Sequence, residues 1–123
     1  MTRPIYQVKA EFFKVLGHPA RIRVLEVLRD GERSVGDLIR EIGLEPSHMS
    51  QQLGVLRRAS IIEARRSGAT VLYSVTDKRI FDLLSVAREI LTETLAGNSQ
   101  LLAELQAMDF GDSDRPRRRS NTA

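Results

Sequence analysis

Apolar side chains recur every three or four residues along the first half of the chain, which is the spacing of helices that bury one face. Pro19 and Pro46 support two helix starts, because proline fits the first helical turn, where its missing N–H is not needed. His18 is expected to cap the second helix or to pack beside it. Ser34 and Asp37 predict a capping pair for the third. The pattern predicts four successive helices, at about 5–16, 19–29, 35–42 and 46–59.

A change of period marks the segment after the fourth helix. Residues 61–66 and 70–75 are rich in β-branched or alternating side chains, and Ser67-Gly68-Ala69 joins them, so a β-hairpin is expected. Thr76 is then expected to cap a long amphipathic helix, and a short C-terminal helix follows it. The predicted fold class is mainly α with a β-hairpin wing, in the order α-α-α-α-β-β-α plus the short helix. That order is typical of a winged helix-turn-helix.

Length and composition predict one folded domain. The 123 residues have room for roughly one core, which we place over residues 1–108. Residues 109–123 are rich in Asp, Ser, Arg and Pro, so a disordered polar and basic tail is expected there. No segment approaches the roughly 20 apolar residues of a membrane span, and we expect a cytoplasmic protein without membrane contact. The chain has no cysteine, which excludes disulfides, thiol nucleophiles and cysteine-ligated zinc.

Positive charge is concentrated in the fourth helix and the hairpin. The whole chain carries a net charge of only +3. Residues 46–79 hold six basic and two acidic side chains, a local charge of +4, whereas residues 80–108 hold one basic and four acidic ones, a local charge of −3. A local excess of positive charge favours a polyanion as the partner at that place.

The outer face of the fourth helix has the chemistry of DNA contact. At about 100° per residue, Met49, Leu53 and Leu56 share one side, and short polar side chains share the other. A glutamine amide can bind adenine bidentately, hydroxyl groups bind bases or phosphates, and arginines bind phosphates. The candidate DNA-binding residues on the helix and the wing are Ser47, His48, Ser50, Gln51, Gln52, Arg57, Arg58, Arg65, Arg66, Ser67 and Thr70.

Three motifs follow one another along the chain: Leu16-Gly17-His18-Pro19-Ala20-Arg21-Ile22-Arg23-Val24-Leu25, then Ser47-x-x-Ser50-x-x-Leu53-x-x-Leu56-Arg57, then Arg65-Arg66-Ser67-Gly68 leading to Tyr73. Together they resemble the ArsR-type winged-helix repressors of bacteria, over about residues 8–95. The resemblance implies a homodimer that binds a palindromic operator on double-stranded DNA and represses transcription until a signal releases it. It also implies a dimer interface that contains Phe12, Leu83, Ala87, Ile90 and Leu91.

Departures from that family bear on sensing. Metal-sensing members carry Cys-x-Cys at the start of the third helix, where this chain has Ser34 and Gly36. A second family site uses Asp and His near the start of the last helix, with His and Glu about three turns on. The matching residues are Asp77, Arg79, Ile90 and Glu93, so we expect no metal site and no cofactor. Gln51 stands where many relatives have His, which leaves the base preference open.

Functions of other classes are alternatives. An enzyme is not expected, because Ser47, His48 and Ser50 do not converge on one point and no acid is placed to orient the imidazole. A winged-helix module that binds another protein through its last helix, without DNA, is the alternative to a DNA-binding regulator. The effector is unknown: within the repressor hypothesis, a small-molecule or atypical metal signal is the alternative to none.

Overall fold

A computed structural model of the protein describes residues 2–96 and 99–114. The elements in these residues are α1 (Ile5–Leu16), α2 (Pro19–Leu28), β1 (Arg33–Ser34), α3 (Val35–Ile42), α4 (Pro46–Arg58), β2 (Ile62–Ser67), β3 (Thr70–Val75), α5 (Arg79–Thr94) and α6 (Ser99–Asp114). The predicted mainly helical fold with a β-hairpin wing is confirmed, and β1 is an additional strand. The chain divides into two compact units, Met1–Ile80 and Phe81–Ala123.

The core of the first unit is formed by helices that contact one another, α2, α3 and α4. Each buried aliphatic side chain contributes roughly 1.5–3 kcal/mol when it leaves water. Because α4 is held by one side in this core, its other side is left in solvent. The largest fully buried side chains are Val24, Leu25, Leu38, Met49 and Leu56.

Side-chain caps define the starts of α2 and α3, as predicted. His18 Nδ1 accepts a hydrogen bond from the backbone N–H of Ala20, and Ser34 Oγ accepts one from the N–H of Asp37, each at 3.1 Å. Hydrogen bonds from the side chain and the backbone of Ser34 to the Asp37 carboxylate lower the pKa of that carboxyl below its usual value, and the Arg40 guanidinium adds to this effect. The two capping bonds satisfy N–H groups that have no partner within the helix.

The predicted hairpin forms the main part of the wing. β2 and β3 are antiparallel, with Ile62 opposite Val75 at the base and Ser67 opposite Thr70 at the tip. Gly68 takes φ 65° in the turn, a left-handed conformation that glycine adopts without strain. The hairpin therefore projects as a two-stranded arm that ends in a tight turn.

A third strand, β1, joins the hairpin in the order β1-β3-β2. Arg33 pairs with Tyr73, and Ser34 pairs with Leu72. The sequence pattern does not predict this strand, because two residues show no alternation of their own. β1 exists only through its pairing with β3, which ties the middle of the wing to the helices.

The start of α5 differs from the prediction. Thr76 does not cap this helix, because its hydroxyl donates to the backbone carbonyls of Ser60 and Ile61, at 2.7 and 3.1 Å. Asp77 has that role instead: its Oδ1 accepts a hydrogen bond from the backbone N–H of Arg79 at 2.9 Å. Thr76 thus anchors the end of the wing to the segment that follows α4.

The last helix is longer than predicted. α6 continues to Asp114, past the predicted end of the domain at residue 108. An established helix extends at little cost, so it can pass beyond the apolar positions that reveal it in the sequence. The rest of the predicted tail, residues 115–123, lies outside the described residues. In the described part of the chain, no helix is both long and apolar enough to cross a membrane.

Replacing Ser34 with Ala removes the acceptor that caps α3, and we expect the free energy of unfolding to fall by about 1 kcal/mol. Urea denaturation followed by circular dichroism measures this loss. Ser47→Ala is the matched control, because the Ser47 hydroxyl donates to the Glu45 carboxylate instead of capping its helix. An equal loss in both variants would contradict the role assigned to Ser34.

Candidate nucleic-acid interface

The exposed face of α4 carries the short polar side chains that the sequence pattern places there. Ser47, Ser50 and Gln51 are exposed, whereas Met49 and Leu53 are buried. The apolar side chains hold the helix against the core, so the polar ones project into solvent. This face can approach a partner closely, because its side chains are short.

Arginines extend this surface at the C-terminal end of α4. The side chains of Arg57 and Arg58 are exposed and make no hydrogen bond or ion pair within the described residues. Gly54 lies one turn before Arg58, and a Cβ atom added there would lie 3.2 Å from Arg58 Nη1. The Arg58 guanidinium therefore folds back over Gly54, which places positive charge along the polar face.

His48 is half-buried near the start of α4. Its ring lies edge-on to the ring of His18, with the centroids 6.2 Å apart and the planes at 81°. His18 already caps α2, so this contact joins the first turn of α4 to the start of α2. The part of the His48 ring that is exposed can still meet a base or a phosphate.

The structure places Gln52 inside the protein, contrary to its prediction as a DNA contact. Its side chain is 5% exposed, and its Oε1 accepts a hydrogen bond from Nε of Arg21 at 2.8 Å. Helical periodicity could have predicted this burial, because at about 100° per residue Gln52 lies beside Leu56 on the apolar side of the helix. Arg21 also belongs to this site, although no local sequence pattern indicates its contact with Gln52.

The two arginines of the wing have different surroundings. Arg65 forms a two-pronged ion pair with Glu32, in which its Nε and Nη2 atoms each lie 2.7 Å from a carboxylate oxygen. These hydrogen bonds lower the pKa of Glu32 and raise the pKa of Arg65. Arg66 is exposed and has no ion pair in the part of the chain that the structure describes. Successive side chains of a strand point to opposite faces, so Arg66 is directed away from the pair.

The other candidate groups of the wing and its surroundings are also exposed. Ser67 and Thr70 flank the turn at the tip. Arg79 pairs with Asp77, and hydrogen bonds from Arg79 lower the pKa of the Asp77 carboxyl to about 2. Among the described residues of the +4 segment, the cations without an ion pair are Arg57, Arg58, Arg66 and Lys78.

The predicted dimer residues lie on α1 and α5. Phe12 of α1 is half-buried and meets the exposed Phe13 edge-on, with ring centroids 5.5 Å apart. In α5, Leu83 is half-buried, and the exposed members of the predicted set are Ala87, Ile90 and Leu91. Each helix therefore leaves apolar side chains in water in the single chain.

The exposed surface offers amide, hydroxyl and guanidinium groups together, which suits base edges and phosphates. Within the described residues, no group of three or more His, Cys, Asp or Glu side chains is arranged to hold a metal ion. Asp77, which matches one ligand of the metal site discussed above, is engaged by Arg79.

Comparisons with known proteins agree with this geometry. Residues 16–65 match the family model of a helix-turn-helix domain. The chain is 50% identical over 107 residues to the uncharacterised HTH-type transcriptional regulator Rv0081 of Mycobacterium tuberculosis, a match that covers 86% of this chain and 94% of that one. A homodimeric winged helix-turn-helix DNA-binding domain of Mycobacterium bovis, a possible ArsR-family regulator, has the same fold at a TM-score of 0.68, with 24% identity over 76% of this chain and 87% of that one. The chain belongs to the ArsR family.

Two solved structures of proteins similar in sequence to this chain agree with this assignment. The crystal structure of Rv0081 matches with a TM-score of 0.73 and 52% identity, over 80% of this chain and 99% of that chain. The repressor BigR of Xylella fastidiosa matches with a TM-score of 0.61 and 36% identity, over 69% of this chain and 84% of that chain. The predicted family, fold class and function class, a DNA-binding transcriptional regulator, are confirmed. These relatives are regulators, a role that requires no catalysis.

Arg66→Ala should reduce the salt dependence of DNA binding more than Arg65→Ala does. Each neutralised phosphate contributes about 0.9 to the slope of log K against log salt concentration. Arg66 has no ion pair, so its loss should lower the slope by about 0.9, whereas Arg65 is already neutralised by Glu32. Fluorescence anisotropy titrations at several salt concentrations measure the slopes. Equal decreases in the two variants would contradict this distinction.

Gly54→Ala should stabilise the protein and weaken DNA binding. Alanine in place of a helical glycine adds roughly 0.5–1 kcal/mol to the free energy of unfolding, but its Cβ would lie only 3.2 Å from Arg58 Nη1, so the guanidinium must shift from its position over the polar face. Gly36→Ala in α3 is the matched control, since its Cβ would meet no atom closer than 3.5 Å. Urea denaturation and gel retardation measure the two effects. Unchanged DNA affinity in Gly54→Ala would show that this part of α4 stays away from DNA.

Proposed function

We propose that the protein is a homodimeric repressor that binds a palindromic operator on double-stranded DNA. α4 enters the major groove, and the wing, residues 61–75, contacts the adjacent backbone or minor groove. The observation that carries this proposal is the juxtaposition, in one unit, of a short polar helix face with arginines that have no ion pair. A merely solvated helix would instead pair its long charged side chains with each other.

The roles of the side chains follow from their chemistry and exposure. Gln51 offers an amide that can bind adenine bidentately, and Ser47 and Ser50 bind bases or phosphates. His48 contacts DNA with the exposed part of its ring. The phosphate contacts and wing contacts come from Arg57, Arg58, Arg66, Ser67 and Thr70, with Arg65 held by Glu32 beside them.

Dimerisation accounts for the apolar side chains that a single chain leaves in water. On α1 the exposed ones include Ile5, Tyr6 and Phe13, and on α5 they include Ile90 and Leu91. Two copies that bury these helices against each other, with Phe12, Leu83 and Ala87 in the interface, would present two α4 helices to two half-sites. The M. bovis domain of the same fold is homodimeric.

Repression follows if the dimer occupies DNA that the transcription machinery needs. BigR, which resembles this chain, is a transcriptional repressor. The protein then acts in the cytoplasm, where a bacterial chromosome lies. A thiol switch has no part in its control, because the chain has no cysteine.

Selection of bound fragments from random DNA tests the proposal directly. We expect the unmodified protein to select a palindrome, and its affinity to fall steeply with salt as counterions are released. Gln51→Ala should lose about 1–3 kcal/mol of discrimination at one base position, while Gln100→Ala, an exposed glutamine of α6, should change nothing.

Two results would contradict this function. The first is equal affinity for any DNA. The second is no retardation of DNA at low salt together with a stable stoichiometric protein partner, which would favour the interaction module instead. A monomer at the concentrations that saturate the operator would remove the homodimer from the proposal.

A further inference from the structure

Arg21 joins three helices of the first unit. Its Nε donates to Oε1 of Gln52 in α4 at 2.8 Å, and its Nη1 donates to the carbonyl oxygen of Val15 in α1 at 3.0 Å. Arg21 itself lies in the first turn of α2. One guanidinium therefore connects the end of α1, the start of α2 and the middle of α4.

Both acceptors have physical reasons to need this guanidinium. Val15 lies in the last turn of α1, where backbone carbonyls have no partner within the helix. Gln52 is 5% exposed, and a buried amide oxygen is satisfied most strongly by a charged donor. Loss of either acceptor would leave a half-buried guanidinium without one of its partners, which is costly.

A second contact between α2 and α4 lies one turn away. The rings of His18 and His48 meet edge-on, with centroids 6.2 Å apart. Along their respective segments these histidines precede Arg21 and Gln52 by about one helical turn. Because these two contacts lie about one turn apart along α4, together they oppose rotation of α4 about its axis and sliding of α4 along α2.

The rotation of α4 decides which side chains can reach DNA. Gln51 and Gln52 are separated by about 100° around the helix axis. With Gln52 held inward by Arg21, Gln51 is directed outward, where the structure places it. A small turn of the helix would move Gln51 away from a base edge while leaving the arginines close to the backbone.

We propose that Arg21 and Gln52 are positioning residues for DNA recognition, which set the rotation of α4 relative to the end of α1. This inference rests on the proposed function, in which α1 contributes to the dimer and α4 enters the groove. Both α4 helices of a dimer must meet half-sites at a set spacing, so the geometry between α1 and α4 affects the two half-sites together.

Four single variants of the full chain test the proposal: Gln52→Met and Gln52→Glu, with Gln51→Met and Gln51→Glu as matched controls on the exposed face. For each variant we would measure Kd for the selected operator and for an unrelated duplex, the slope of log K against log salt, and stability to urea. Methionine has a similar shape but no strong acceptor, whereas glutamate keeps an acceptor for Arg21.

We expect Gln52→Met to lose operator affinity by roughly tenfold, while its affinity for unrelated DNA and its salt slope stay unchanged, because Gln52 contacts no phosphate. Gln52→Glu should bind within about twofold of the unmodified protein, since the carboxylate still accepts from Arg21. At position 51 we expect the opposite ranking of operator affinity. Gln51→Glu should bind more weakly than Gln51→Met, because it places a negative charge toward the phosphates.

Several outcomes would overturn the proposal. Weaker binding by Gln52→Glu than by Gln52→Met would mean that Gln52 contacts DNA directly. A loss of stability in Gln52→Met with unchanged operator selectivity would assign Gln52 a purely structural role. If the unmodified protein shows no operator preference, the proposed function fails and this inference fails with it. If the unmodified protein prefers the operator and Gln52→Met keeps that preference, the proposed function stands and only this inference fails.

The double variant Arg21→Met/Gln52→Met keeps the test decisive if Gln52→Met does not fold. Removing both partners leaves no unpaired guanidinium, although the Val15 carbonyl also loses its donor, so stability should recover in part. Selectivity for the operator over unrelated DNA should nevertheless remain roughly tenfold lower, because the rotation of α4 is no longer set. Recovery of selectivity together with stability would contradict a positioning role.

Discussion

Burial of one face of α4 is the constraint on which the rest of the structure depends. Met49 and Leu56 are fully buried and Leu53 is nearly so, and the helices that cover them, α2 and α3, are themselves held by side-chain caps and buried leucines. Because this burial leaves the opposite face in water, short hydroxyl and amide side chains can occupy it without cost to the core. The site is thus the solvent side of the same helix that completes the core.

The arginines of this surface fall into two groups, those that form ion pairs and those that do not. Arg65 of the wing pairs with Glu32, and Arg33 of β1 pairs with Glu41 of α3. These two ion pairs help to connect the wing, β1 and α3. Arg57, Arg58 and Arg66 stay without ion pairs among the described residues. Exposed ion pairs contribute little to stability, but they do reduce the charge that a phosphate would meet. The unpaired arginines therefore carry most of the field of this surface.

The differences between expectation and structure come from contacts distant in the sequence. β1 has two residues and arises by pairing with β3, some forty residues later, so no local pattern announces it. Thr76 has the side chain of a helix cap, yet the carbonyls of Ser60 and Ile61 compete for its hydroxyl. Gln52 has a side chain that could contact DNA, but its amide oxygen accepts a hydrogen bond from Arg21 inside the protein. In each case the tertiary fold decides which partner the segment or side chain binds.

The sequence alone determined the order of the helices and of the two hairpin strands, the apolar and polar faces of α4, the glycine turn and the family. Each of these depends on local periodicity, on turn chemistry or on motifs along the chain. Only the tertiary structure decided which polar side chains are available. Arg66 and Arg65 are neighbours of the same type, as are Gln51 and Gln52, yet one of each pair is exposed without an ion pair or hydrogen bond to a distant residue and the other is engaged by a residue far along the chain. A hydrogen bond or ion pair depends on the distances between secondary-structure elements. Packing sets these distances, and they cannot be read from composition.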